Sequence, residues 1–386
     1  MVKNEADVVV IGGGIIGLAT CYYLAKAGKT VFLTEKGGIG GGSSGANAAF
    51  TLVTYRPPGP LLEMGIASLK EYDNLAAELE VDLEFERCGV LYVITSPKQY
   101  EELKPWIEER NKAGLTELRL LDKEETLGLE PKLSSAVAGS FFNPWDGHVN
   151  PFYVLKGLRK GALELGAKIL TYEKVSQINL KGKRVRSVVT DTGRIIEAPF
   201  VVNACGINSP DIGRMVGIQI PITPNREQML VSQQAPGAIR YPILSSTYKE
   251  SLIHGEKTGT VGFYCNFTKE GNLLFGGVNE FVGEDCGNTL FAFENISRMA
   301  IEYLPTLADI NILRAFARFY VHTPDMMPIL GVVGEIEGFI MASGHNDYGI
   351  SLGPVSGKLI FEQICYGETS IRIEEFNLNR FARKDN

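Results

Sequence analysis

The sequence has no CxxC pair. Its six cysteines (Cys21, Cys88, Cys205, Cys265, Cys286 and Cys365) and its four histidines (His148, His254, His322 and His345) are dispersed. Zinc and iron–sulfur cradles need clustered ligands, so no metal site is expected. Scattered cysteines fit a reducing compartment, and a cytoplasmic location is expected. The chain also lacks a basic excess. Its net charge of −7 argues against a non-specific nucleic-acid binder, which needs a positive footprint. Long apolar runs are missing too. The longest, Val8 to Ala25, is broken by Gly12, Gly13, Gly14 and Gly17, so no membrane span is expected. Met1 to Asp7 is polar and runs straight into an apolar stretch, unlike a signal peptide. Internal repeats, low-complexity tracts and an obvious linker are absent as well.

What is present in excess is glycine: 43 of 386 residues, about 11% against roughly 7% in ordinary domains. The length suggests two domains, or one large domain with a cap. Val8 to Ile11 and Thr30 to Leu33 read as buried strands flanking a helix, Ile15 to Ala27, that closes at Gly28, a βαβ unit. Further helices are expected over Leu61 to Glu80, Lys98 to Lys112, Pro151 to about Leu165, Thr289 to Tyr303 and Ile350 to Tyr366. Asn150 is the expected N-cap of the third of these, with Pro151 at N1. Strands are expected over Phe85 to Thr95, Lys168 to Leu180, Arg184 to Asp191, Arg194 to Asn203, Pro221 to Ser232, Thr260 to Phe267, Asn272 to Asn279, Asn311 to Tyr320 and Phe339 to Ser343.

Gly12-Gly13-Gly14-Ile15-Ile16-Gly17 fits the GxGxxG pattern, between a strand and a helix. Gly12 permits a tight turn, Gly14 lets a pyrophosphate approach the backbone, and Gly17 lets helix and strand pack closely. The helix N-terminus then presents free N–H groups to phosphate. Glu35, 18 residues past Gly17, is placed to accept ribose hydroxyls, which favours FAD or NAD over NADP. A second glycine-rich loop, Gly37 to Asn47, follows at once, where a NAD domain ordinarily continues with a helix.

That loop, Gly40-Gly41-Gly42-Ser43-Ser44-Gly45-Ala46-Asn47, resembles the signature of the FAD-dependent D-amino-acid oxidase superfamily, which includes glycine oxidase and sarcosine oxidase β subunits. The resemblance continues through Asp146 to Pro151, Lys174-Val175, Val201 to Gly206, Pro224 to Gln228 (with Glu227 where relatives have glycine), Thr323 to Gly331 and Gly344 to Gly349. It implies non-covalent FAD held by Gly12, Gly14, Ile15, Ile16, Gly17, Glu35 and Lys36. It adds Ser43, Ser44, Asn47, Ala48, Ala49 and Phe50 from the second loop, then Val175, Ala204 and Gly206. The flavin-side residues it implies are Gly344, His345, Asn346, Asp347, Tyr348, Gly349, Ile350 and Ser351. There a helix N-terminus faces the flavin edge that becomes anionic on reduction.

The resemblance implies oxidation of an amine C–N bond by hydride transfer to flavin N5, followed by hydrolysis of the imine. On the substrate side the chain departs from its relatives. Tyr320 stands where glycine oxidase has its carboxylate-binding arginine. Asp347 stands at another arginine position. Ser351 replaces an oxygen-activating lysine, and Arg318 replaces a flavin-linking cysteine. Ala317 to Asp325 looks closer to β subunits of proline, hydroxyproline, sarcosine or opine dehydrogenases, which implies a partner subunit with further redox centres. Tyr264, His345, Arg318 and Arg56 are the candidate catalytic contacts, the two arginines for a substrate carboxylate. His148, His254 and His322 are expected to be structural.

The expected architecture is α/β with α+β elements: a Rossmann-like FAD-binding domain with an interleaved substrate domain built on a mixed β-sheet. The FAD domain is expected over 1–80, 145–218 and 322–386, and the substrate domain over 81–144 and 219–321. The expected activity is FAD-dependent oxidation of an amino or imino acid of the glycine, sarcosine, proline, hydroxyproline or opine type. The alternatives are a hydroxy-acid or polyol dehydrogenase of the same superfamily, and a non-catalytic FAD-binding subunit. The expected location is cytoplasmic, with membrane attachment only through a partner.

Overall fold

The structure is a computed structural model and describes residues 3–246, 248 and 260–382. His254 lies outside the described residues. The glycine-rich start forms as expected. Strand Val8–Ile11 and helix Ile15–Lys26 are buried along almost their whole length, so the helix is apolar on all faces instead of on one stripe.

Six strands form the sheet that carries the first motif. Their order is Ile329–Val332, Phe339–Ser343, Phe200–Asn203, Val8–Ile11, Val31–Glu35 and Lys168–Thr171. All neighbours are parallel except the first pair. Helices Ile15–Lys26 and Gly349–Tyr366 pack together beside it, and the Cβ that Gly357 lacks would lie 2.5 Å from Ala19. An eight-stranded mixed sheet stands over this unit. Its order is Ile312–His322, Thr223–Gln234, Asn272–Glu280, Thr260–Phe267, Ile243–Ser245, Val90–Ile94, Gly139–Asn143 and Arg119–Asp122. A four-stranded sheet, Lys3–Glu5, Ile195–Glu197, Arg184–Thr190 and Val175–Lys181, flanks the first.

Two expected strands prove to be pairs. Lys168–Thr171 belongs to the six-stranded sheet and Val175–Lys181 to the four-stranded one. The break holds Tyr172 at φ +58, a conformation that ends a ladder for a bulky residue. Ile195–Glu197 and Phe200–Asn203 divide in the same way, at Pro199. Proline cannot donate to a ladder. Elsewhere local chemistry sets the ends. The Asn150 side chain accepts from the Phe152 and Tyr153 amides at the start of helix Pro151–Glu164, a cap contributing about 1 kcal/mol. Helix Lys123–Leu129 is short but closed by a full capping box between Asp122 and Glu125.

No described helix is long and apolar enough to cross a membrane. Among the described residues no group of histidine, cysteine or acidic side chains is placed to hold a metal ion.

Candidate active site

One cleft of about 600 Å³ runs from the first glycine motif to the eight-stranded sheet. Its floor begins where strand Val8–Ile11 turns into helix Ile15–Lys26. Gly12 has φ +115, and a Cβ there would lie 2.4 Å from the Ala204 carbonyl oxygen. A Cβ on Gly17 would lie 2.0 Å from the Gly12 carbonyl oxygen. Both positions therefore require glycine, on steric grounds. The helix has no acidic residue in its first turn and no side-chain N-cap. Instead the Ile15 amide donates to Ser44 Oγ at 3.0 Å.

Glu35 ends its strand beside this turn. Its two carboxylate oxygens accept from the Gly13 amide at 2.7 Å and the Gly37 amide at 2.8 Å. The carboxylate thus links the two glycine loops and keeps lone pairs for a ribose. Asn47 holds the second loop, donating to the Ser43 and Ser44 carbonyls and accepting from the Ala49 amide. Ser43 donates to the Phe319 carbonyl, which joins the loop to the sheet above. Lys36, Val175, Ala204, Gly206 and Gly349 also line the cleft. Lys36 Nζ donates to Asn208 Oδ1 at 2.8 Å.

The far floor is the loop before helix Gly349–Tyr366. Gly344, His345, Asn346, Asp347 and Ile350 line it. Asn346, at φ +50, accepts from the Thr323 amide and donates to Thr323 Oγ1 and the Gly344 carbonyl. His345 is buried, with Nε2 2.9 Å from Ser356 Oγ. Burial pushes its pKa down to about 3, so the ring is neutral. It supplies neither a cation nor an acid at neutral pH.

Several expected contacts sit behind the wall. Gly17, Ala48, Ala49, Phe50, Tyr348 and Ser351 do not line the cleft. Ser351 Oγ accepts from the Leu52 amide at 2.8 Å and so ties the helix start to the segment after the second loop. Arg56 is almost fully buried outside the cleft. Its guanidinium carbon lies 3.4 Å from the Tyr348 ring centroid, and Nη2 donates to the Leu52 carbonyl. The structure therefore seats this arginine in packing, away from any carboxylate in the cleft. His148 is also enclosed, with Nδ1 3.0 Å from Asn266 Oδ1. His322 packs edge-on against Phe281.

The roof is the sheet face over the flavin-side loop. Glu227 and Arg318 are opposite one another in the antiparallel ladder, so their side chains share a face. Both line the cleft, with Tyr320 and Met229. Arg318 is exposed and Glu227 buried. The Tyr248 hydroxyl donates to Glu227 Oε1 at 3.3 Å and lies 3.0 Å from the Tyr320 hydroxyl. Tyr264 is buried behind this pair, its ring 5.5 Å from that of Tyr248 and its hydroxyl toward Glu227. Burial raises the Glu227 pKa to about 7, partly offset by the three tyrosines, while the Asp347 charge adds to the rise. Burial and the Glu227 charge push the Tyr248 and Tyr264 hydroxyls well up.

Sequence reasoning noted Glu227 only as a departure from glycine and Tyr320 as a missing arginine; it did not identify Tyr248. The available signal was Asn225-Arg226-Glu227-Gln228, four consecutive polar residues that the strand buries. Asp146 was likewise seen only as part of a motif. It is fully buried and accepts from the Val53 amide, the Thr54 hydroxyl and the Tyr92 hydroxyl. It pins the segment after the second loop to the upper sheet.

These residues fit FAD. Two helix N-termini open on one cleft, glycines stand where a Cβ would close the turn, and a carboxylate sits beside the first turn. Comparison with known proteins agrees. The chain is 28% identical to mitochondrial dimethylglycine dehydrogenase of Mus musculus over 99% of its length, and it spans less than half, 45%, of that relative. It is 27% identical to hydrogen cyanide synthase subunit HcnC of Pseudomonas aeruginosa, covering 94% of this chain and 93% of that one. The solved structure of L-proline dehydrogenase from P. horikoshii superposes with a TM-score of 0.90, at 28% identity and 98% coverage of both chains. Residues 7–363 match the family of FAD dependent oxidoreductases called DAO. The chain belongs to that family, its cofactor is FAD, and it is an oxidoreductase.

Proposed function

We propose that the chain oxidises the C–N bond of a small amino or imino acid, of the glycine, sarcosine, proline, hydroxyproline or opine type. One observation carries the reading: the cleft that suits FAD ends under a roof bearing one buried carboxylate, Glu227, and one exposed guanidinium, Arg318. An amino acid carries the complementary pair of charges. When bound, FAD accepts the hydride from the substrate carbon at N5. The chain's own part is to orient the substrate. Arg318 holds the carboxylate at the mouth, and the enclosed tyrosines keep water from the reacting carbon.

In the same proposal the flavin is non-covalent. Gly12, Gly14, Glu35, Ser43 and Ser44 hold the dinucleotide, and the Gly344 to Ile350 loop supports the flavin. Residues 1–80, 145–218 and 322–386 act as the FAD domain, and 81–144 and 219–321 as the substrate domain. A cytoplasmic location for the chain and a partner subunit with further redox centres belong to the proposal too. HcnC is named as a subunit, and the chain's own cysteines are scattered. A hydroxy acid suits the roof less well, because it brings no cation for Glu227.

Anaerobic mixing of the FAD-loaded chain with glycine, N,N-dimethylglycine, L-proline and L-lactate tests the reading. Bleaching of the flavin band by an amine is expected. Bleaching by lactate alone would replace the reading with its hydroxy-acid rival. Reoxidation faster with a dye than with oxygen is the result expected for a chain that passes electrons to a partner.

A further inference from the structure

We propose that Glu227 is the group that receives the substrate's ammonium and takes its proton before the C–H bond breaks. The proposal deepens the amine-oxidising reading and rests on it for the hydride step. It starts from placement. Glu227 is 3% exposed yet lines the cleft, so it meets whatever enters without being hydrated by bulk water. Burying a carboxylate without a cationic partner is costly. Among the described residues no ion pair involves it, and the cations lining the cleft are Lys36, Lys174 and Arg318. Lys36 and Lys174 stand at the first motif's end, and Arg318 turns back to the Ala317 carbonyl.

The groups facing Glu227 are Tyr248, which donates its hydroxyl to it, Tyr320, whose hydroxyl meets that of Tyr248, the buried Tyr264, and Asp347 from the flavin-side loop, which adds like charge. Two acids and Tyr320 line the opening, with Tyr248 and Tyr264 buried behind Glu227, and together they make a receptor for a cation bearing N–H donors. Its position is set by the fold. A Cβ on Gly277 would lie 2.6 Å from Glu227 Oε1 and one on Gly276 2.4 Å from the Tyr264 hydroxyl, so the neighbouring strand is cut back to admit both side chains.

An amine is oxidised through its free base, because hydride loss needs the nitrogen lone pair. An ammonium substrate must therefore lose one N–H proton first. In the proposed step the N–H bond breaks, an O–H bond forms on Glu227, and the nitrogen keeps the electron pair. The Cα–H electron pair would then leave as hydride, for which bound FAD would be the acceptor. The lone pair closes the C=N bond, and water hydrolyses the iminium. A carboxyl poised near neutrality suits this exchange.

The test pairs wild-type FAD-loaded protein with Glu227→Gln, which keeps shape and loses basicity, and Glu227→Asp. In anaerobic flavin reduction by the amine that bleaches wild type, kcat/KM is expected to rise about tenfold per pH unit below about 7 and then level off. Glu227→Gln is expected to lose about a hundredfold in reduction rate, with Glu227→Asp recovering part of it and the rising limb. A Gln variant at wild-type rate, or activity falling as pH rises through neutrality, overturns the proposal. A second arm tests the ammonium-receiving role by itself, even where no amine bleaches the flavin, a result that would defeat the amine-oxidising reading and with it the proton transfer. Glycine methyl ester, a cation without a carboxylate, and acetate are each titrated against the flavin spectrum. The ester is expected to bind Glu227→Gln at least about tenfold more weakly than wild type, with acetate unchanged. Equal binding of the ester by both proteins overturns the proposal.

Discussion

The Arg56 guanidinium carbon lies over the Tyr348 ring, 3.4 Å from its centroid, and Nη2 donates to the Leu52 carbonyl. It thereby joins the segment after the second glycine loop to the N-cap of the last helix. Arg56→Ala is expected to cost about 2–4 kcal/mol in urea unfolding, through a cavity and an unpaired carbonyl. FAD content is expected to fall with it, while KM of the protein that still holds FAD stays near wild type. A large rise in KM without loss of stability would return Arg56 to the substrate.

Gly17→Ala places a methyl group 2.0 Å from the Gly12 carbonyl oxygen. The helix must then move away from the strand. A loss of about 1–3 kcal/mol is expected, together with purification of mostly colourless protein. Flavin absorbance per chain is the measurement.

Glu35→Gln removes the charge from hydrogen bonds to the Gly13 and Gly37 amides. Charge-assisted bonds contribute about 1.5–3 kcal/mol, so FAD should bind about ten- to a hundredfold more weakly. The fluorescence of released FAD reads this directly. Protein kept saturated with FAD is expected to reduce at the wild-type rate.

His345 and Glu227 load the pH dependence of stability with opposite signs. Burial holds the His345 pKa at about 3, below its ordinary 6.5. Its contribution is full above about pH 6.5 and is lost as pH falls toward 3. Glu227 is raised from 4.5 to about 7. Its contribution is full below about pH 4.5 and is lost as pH rises through 7. His345→Gln should flatten the acid limb. Glu227→Gln should be more stable than wild type at about pH 8, the usual relation between a buried functional charge and stability. Urea midpoints at about pH 5 and 8 for both variants check the signs.

The cofactor floor was legible in the sequence because it is local. Gly12 to Gly17, Glu35 and the second loop all fall between residues 12 and 47, and their spacing records the turn geometry. The split strands were not legible. Lys168 to Leu180 carries a continuous strand pattern, and only the tertiary assignment of its halves to two sheets shows the break at Tyr172. The roof was hidden for a related reason. Glu227, Tyr248, Tyr264 and Tyr320 come from separate strands and a loop, and no spacing within one segment announces that they meet. Arg56 reads as a ligand in the sequence because it stands in a stiff loop beside a cofactor segment; the ring it lies over, Tyr348, is nearly 300 residues away.

The middle of the six-stranded sheet is assembled from distant stretches of chain: Val8–Ile11 beside Phe200–Asn203, and that beside Phe339–Ser343. Helix Gly349–Tyr366 then lies against Ile15–Lys26. A nascent chain emerging from the ribosome therefore carries every glycine of the first motif long before it can grip a dinucleotide. Loading of the cofactor waits until the Phe339 to Tyr366 stretch has been made, and until then the apolar faces of the first helix remain for chaperones to shield.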